Sequence, residues 1–407
     1  MEKKTFVTKE LIDEITKTYP TPFHIYDEAG IRANAKAMKE AFSWNKGFKE
    51  YFAVKALPNP KILEIFGFAD CRVCNLEGAL TSGDERREKT GPVITAPISI
   101  INTYKGLGID YCLLANNHIT DAGNQGVSDT LSALNNAGVK YCGAGINAEL
   151  IQKYVTIVLG ERKICLYNVA ETMYNAPTSQ MAGAHLYDEY VVCNDLKELK
   201  TSHDYIIVVY HGGIENYRFP SPETRKRFHR MVDCGADAVI AQHTHCIGCE
   251  EYYNGSYLQY GQGNFLFKNV LPGYSDSGLM LEFIFDNDGV QIEKHLVRAE
   301  GDFVRYDCNQ DFTEYNNRSN QLSDAAFLEA AFDQFCYSEL HKYIRAFRGN
   351  DLIKRIWRKL HPRQDQMDFY NKEYSRQQLL FILHTLRSEQ NRETAIVGIK
   401  KMLSMTK

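Results

Sequence analysis

A layered α/β fold is what this 407-residue sequence predicts. Three observations carry it. Short apolar runs recur from Ala69 to about residue 285, helical periods fall between several of them, and the runs end in polar clusters. The strand runs are residues 72–74, 111–115, 154–159, 164–169, 205–210, 238–241, 257–260 and 279–285. Between them, residues 126–136 place Val127, Leu131 and Leu134 on one helical face, with Gly138 as the stop. Ser221 and Pro222 open a second helix with a capping hydroxyl and a first-turn proline, and Gly235 closes it. Few helical patterns interrupt residues 250–300, which predicts antiparallel strands there.

The flanks read differently. In residues 1–68, Asp27 can cap a helix through Ile31, Ala35, Met38 and Phe42, and residues 51–54 form a strand stopped by Pro58 and Pro60. The last hundred residues lose the strand pattern and turn helical. The sequence thus divides into residues 1–68, 69–305 and 306–407. Between Lys342 and Arg363, eight basic residues face one acidic residue, Asp351, with apolar side chains interleaved. A solvated helix packed on the main domain accounts for that segment, and an acidic ligand or membrane surface is the alternative.

Charged residues at 24% and hydrophobic ones at 44% are the balance of a globular chain. The net charge of −4 gives no electrostatic case for nucleic acid. No apolar run approaches the roughly 18 residues of a membrane span, and no apolar signal core follows Met1, so a cytoplasmic location is predicted. On that reading the eleven cysteines are reduced thiols. Cys71-x-x-Cys74 and Cys246-x-x-Cys249 have metal-ligand spacing, but Cys at strand spacing in a buried run acts as a small hydrophobe.

The polar clusters at strand ends are where α/β proteins carry their sites. Four of them contain metal-ligand types: Glu77, then Asn117 with His118, then His211, then His243 with His245. Carboxylate, amide oxygen and imidazole together suit Zn, Mn or Fe. The i, i+2 spacing of His243 and His245 demands a bend in an extended loop if both rings are to meet one site. Asp121 stands three residues after His118, close enough on one turn to orient the imidazole of a leaving-group acid.

At these residues the chain resembles the CapA-type branch, linked to poly-γ-glutamate and capsule synthesis, of the calcineurin-like metallophosphoesterases. The matching motifs are Asn75-Leu76-Glu77, Asn116-Asn117-His118, His211-Gly212-Gly213-Ile214-Glu215, His243-Thr244-His245 and Gly261-Gln262-Gly263-Asn264-Phe265, spanning about residues 69–270. The resemblance implies a four-layer α/β/β/α sandwich with a helical C-terminal extension. It also implies that Glu77 bridges two metals, that Asn117, His211 and His243 complete one site, that His245 serves the other, and that His118 is the acid. The family's leading metal-binding aspartate has no counterpart at the usual distance before Asn75. One divalent metal is therefore expected, with a second weak or absent.

Residues 19–66 instead resemble the start of diaminopimelate decarboxylase, a pyridoxal-phosphate enzyme, through Thr21-Pro22-Phe23-His24 and Tyr51-Phe52-Ala53-Val54-Lys55. In that family the lysine matching Lys55 carries the cofactor. The later motifs of that enzyme are missing from the sequence, so Lys55 reads as a strand-end lysine, one that could stand where the aspartate is lost. The expected function is a metal-dependent hydrolase acting on a phosphoester or an anionic surface polymer. A catalytically weak accessory protein of polymer synthesis and a pyridoxal-phosphate decarboxylase are the alternatives.

Overall fold

The computed structural model describes residues 7–18, 69–265, 276–286, 289–300, 303–307, 309–348 and 374–405. The helix capped by Asp27, the strand at 51–54, Lys55 and the rest of the decarboxylase-like stretch lie outside the described residues, as do residues 349–363 of the basic segment.

Three sheets form the centre. β1 (Val73–Asn75), β2 (Tyr111–Leu113) and β3 (Lys140–Cys142) pair in parallel, in that order. The second sheet contains β4 (Tyr154–Leu159), β5 (Arg162–Ala170), β6 (Tyr205–His211), β7 (Ala238–Gln242), β8 (Glu250–Tyr253) and β9 (Ser256–Gln259). Its order is β8-β9-β7-β6-β5-β4, parallel inside and antiparallel at both edges. A third, antiparallel sheet follows from β10 (Ser277–Asp286), β11 (Gly289–Glu300) and β12 (Phe303–Tyr306).

Strand periodicity sorts the side chains into layers. Along β6, Ile207 and Val209 point to an inner core shared with Leu113 of β2 and Leu281 and Phe283 of β10. Ile206, Val208 and Tyr210 point the other way, to α4 (Glu189–Leu199) and α5 (Pro222–Asp233). On the far side, Cys74, Cys112 and Met280 face the helices α2 (Ile101–Gly106) and α3 (Gly123–Ala137). The result is an α/β/β/α sandwich whose central strands are buried on both faces, which is why they read as continuous apolar runs. Apart from these layers stand α1 (Lys9–Thr18), α6 (Thr313–Asn320) and the three helices of the C-terminal extension, α7 (Ala325–Arg348), α8 (Arg376–Arg387) and α9 (Glu389–Met405).

The helix signals act where the sequence places them. Gly138 ends α3 in the left-handed region at φ 74°, and the Ser221 hydroxyl accepts from the Thr224 amide at the start of α5. The same packing corrects the expectation that all the cysteines are reduced thiols, and it agrees with reading the Cys71-x-x-Cys74 pair as buried apolar residues. Cys193 of α4 and Cys234 at the end of α5 form a disulfide, with Cα atoms 5.2 Å apart, because the two helices lie side by side on one sheet face. Cys71 and Cys74 point to opposite faces of their layer, the inner core and the α3 side. Among the described residues no cysteine joins a group able to hold a metal.

Asn168 of β5 ties the two sheets together. Its Oδ1 accepts from the Ala115 amide at 2.7 Å, and its Nδ2 donates to the Val209 carbonyl at 3.0 Å. Gly143 lies against this tie at φ 100°, where a Cβ would stand 2.1 Å from Asn168 Oδ1 and 2.3 Å from Ala115 N. Gly143→Ala therefore meets a forbidden backbone conformation and breaks a buried hydrogen-bond pair. A loss of at least about 3 kcal/mol is expected in a denaturant titration.

Candidate metal centre

The C-terminal ends of β1, β2, β6 and β7 gather at one edge of the sandwich, since their parallel register aligns Asn75 with Leu113 and His211 with Gln242. Glu77 follows β1, Asn117 and His118 follow β2, His211 closes β6 and His243 follows β7. Glu77, His211 and His243 are buried, and they offer ligand atoms that all lie within 4.8 Å of one another. Glu77 Oε1 is 4.0 Å from His211 Nε2, and Asn75 Nδ2 donates to Glu77 Oε2 at 3.0 Å. Asn117 Oδ1 reaches to 3.0 Å from His211 Nε2. A carboxylate and two imidazoles converging in a buried pocket, with an amide oxygen beside them, fit a divalent cation with borderline ligand preference.

The bend that the His243-x-His245 spacing demands is present in the backbone. His243 has φ 91° and His245 φ 55°, conformations that non-glycine residues adopt at a cost of about 1–3 kcal/mol. They bring the two ring centroids to 6.0 Å, but His245 stays outside the three-residue group. Asn264 Nδ2 donates to the His245 carbonyl, so its Oδ1 accepts from His245 Nδ1 at 2.9 Å, and His245 Nε2 carries the lone pair. Gln390 Nε2, from α9, sits 3.1 Å from His243 Nε2, and Glu215 Oε1 is 3.6 Å from the same nitrogen. A carboxylate that accepts from the ring's second N–H, as Glu215 is placed to do, fixes ring orientation in metal-binding histidines.

His118 sits beside the group, its Nε2 3.9 Å from Glu77 Oε1. Asp121, on the turn that His118 begins, comes within 2.7 Å of His118 Nδ1. Lys89 Nζ contacts both, at 2.6 Å from Asp121 Oδ1 and 3.0 Å from His118 Nδ1. A ring nitrogen that donates to Asp121 cannot also accept from Lys89, so Lys89 acts on the pair through the carboxylate. Burial lowers the Lys89 ammonium from its ordinary value, and Asp121 pulls it back. Lys89 stands in a run of mixed charge with no periodicity, and nothing in the sequence singles it out.

A cleft of about 750 Å³ opens over these groups. The sandwich contributes Asn117, His118, His245 and Lys89 to it, and the C-terminal helices contribute Tyr343, Phe381, His384 and Gln390. The roof is fastened at several points. The Tyr217 ring packs at a tilt on Phe335 of α7 with centroids 4.6 Å apart, Ser221 Oγ donates to Glu393 at 2.8 Å, and Arg227 of α5 pairs with Glu389. His384 lies parallel to Tyr174, with centroids 5.1 Å apart.

The chain matches the model of the bacterial capsule synthesis protein PGA_cap over residues 36–269, more than half its length. It belongs to that family. The matched span opens ahead of Ala69 and closes before the C-terminal helices. The capsule biosynthesis protein CapA of Bacillus anthracis is 26% identical over 48% of this chain and 49% of its own. The PGA biosynthesis protein CapA of Bacillus subtilis is 28% identical over 41% and 44%. The chain thus spans about half the length of these curated relatives. Among solved structures, a phosphatase of Mycoplasma pneumoniae aligns with a TM-score of 0.38 at 14% identity, covering 71% of this chain and 93% of that one. Among the described residues no helix is long and apolar enough to cross a membrane.

The roof gives the centre a pH response. Burial, with Lys89 adding to it, pushes His384 down to about 4 from 6.5. A base with a lowered folded value leaves the folded state short of a proton once the unfolded chain binds one. Its stabilisation is complete above about 6.5 and is lost as pH falls toward 4. The thermal midpoint should fall over that window, and His384→Phe should flatten the fall in a series of melts from pH 8 to pH 4.

Proposed function

We propose that this member of the family is a metal-dependent hydrolase of the phosphoesterase type, acting on a phosphoester or a related anionic group in surface-polymer metabolism. The observation that carries the reading is the buried convergence of Glu77, His211 and His243, with the His118–Asp121 pair at its side. Glu77, His211, His243 and Asn117 would hold one divalent ion, and a second would have only Glu77 and His245 of the expected set. The ion would supply Lewis-acid charge stabilisation and an activated water.

The chain's own part is positional. Asp121 holds the His118 ring so that Nε2 faces the ligand group, where a proton carried on Nε2 can pass to a departing oxygen. Lys89 donates to Asp121 Oδ1 at 2.6 Å and adds positive charge beside an incoming anion. The C-terminal helices cover the cleft and limit water around it. The relatives' names place them in capsule and PGA biosynthesis, which supports an anionic polymer or its precursor as the substrate.

Purified protein loaded with manganese should bind one ion per chain tightly and hydrolyse an aryl phosphate. Two tightly held ions would refute the one-metal reading. Tight metal binding without hydrolysis would point to the accessory role instead.

A further inference from the structure

We propose that Gln390 of α9 is a positioning residue for the metal centre, holding His243 in the tautomer that leaves Nδ1 for the cation. The inference rests on the metal-binding half of the reading above and not on hydrolysis. Gln390 lies outside the span matched by the family, so the C-terminal extension completes a centre that the sandwich builds.

An imidazole that gives one nitrogen to a cation keeps its proton on the other. Beside His243 Nε2 stand Glu215 Oε1 at 3.6 Å and the end of the Gln390 amide at 3.1 Å. A lone pair on Nε2 would meet the negative charge of Glu215, whereas an N–H is drawn to it. Nε2 therefore carries the proton, and Nδ1 is the nitrogen left for the cation. The Glu215 side chain is half exposed, so water competes for its share of that N–H. Gln390 is closer and only 6% exposed, and a hydrogen bond shielded from water is the stronger one.

A half-turn about its last bond lets an amide present either oxygen or nitrogen to the ring. With its nitrogen inward, Gln390 would set a donor against the Nε2–H. It would also bury Oε1 where no donor among the described residues reaches it. With its oxygen inward, Oε1 accepts the Nε2–H and both faults are removed.

An outer partner steers a ligand only if its own position is fixed. The first turn of α9 meets that condition. Glu389 pairs with Arg227 and Glu393 accepts from Ser221 Oγ at 2.8 Å, clamping α9 to α5 on either side of Gln390. The coupling runs both ways: whatever factor the amide adds to metal affinity, bound metal adds to the docking of α9.

Calorimetric titration of the full chain with Mn²⁺ tests this in two variants. Gln390→Met keeps the length of the side chain and removes the acceptor, so the Kd should rise about 10–100-fold. Gln390→Glu restores an acceptor and should return the affinity to the wild-type range. Long-range proton–nitrogen correlation spectra of the zinc-loaded chain should show His243 protonated on Nε2. That proton should exchange with water faster in Gln390→Met. Equal affinities of Gln390→Met and wild type overturn the proposal and leave the metal centre standing, as does a Gln390→Glu chain as weak as Gln390→Met. A wild-type chain that holds no ion tightly removes the metal-centre reading and this inference with it. If Gln390→Met fails to fold, the tautomer decides alone: a proton on His243 Nδ1 in the zinc-loaded chain overturns the proposal.

Discussion

Glu77→Gln is expected to yield a chain that loses its divalent metal during purification. The substitution keeps the volume of the side chain but removes the one negative charge in the ligand group. Glu77 Oε1 lies 4.0 Å from His211 Nε2 and 3.9 Å from His118 Nε2, so both rings lose their common anionic neighbour. Changing residues that merely orient ligands costs about 10–100-fold in metal affinity. Removing a ligand should exceed that, giving a loss of more than about 100-fold. Elemental analysis of the dialysed protein and calorimetric titration with Mn²⁺ or Zn²⁺ read the effect directly. Retention of one ion at wild-type affinity would show that Glu77 is not a ligand.

The second large effect separates chemistry from binding. His118→Ala should leave metal content unchanged and lower kcat on an aryl phosphate by roughly 10²–10⁴-fold, the range of a lost general acid. Asp121→Asn should behave differently. The carboxylate is fully buried and pairs with Lys89, itself almost fully buried, so the neutral amide strands an ammonium in the interior. A loss of about 3–5 kcal/mol is expected from breaking a buried pair on one side. Urea titrations of the two variants should therefore diverge, with His118→Ala near wild type. Equal destabilisation of both would place His118 among structural residues.

Much of the sandwich is legible in the sequence, for a physical reason. The strands of the second sheet are covered on both faces, so β6 and β7 appear as unbroken apolar runs that survive any uncertainty of register. The shorter β3 carries one exposed, one half-buried and one buried residue and shows no pattern to read. The four polar strand ends were equally visible, because parallel strands must bring their ends to one edge. Lys89, His384 and Gln390 were not. They reach the cleft through tertiary packing, and no period or spacing records which loop or distant helix will arrive there. The Cys193–Cys234 bridge escaped for the same cause, since it depends on two helices sharing a sheet face.

Gln390 meets His243 across 147 residues of chain. On the ribosome, Glu77, His211 and His243 are finished well before α8 and α9, and domains fold as their sequence emerges. The floor of the cleft therefore faces the surrounding fluid while the nascent chain still lacks its roof. Ions can reach the three side chains in that interval without crossing the C-terminal helices, and the late-arriving Gln390 closes over a floor already formed.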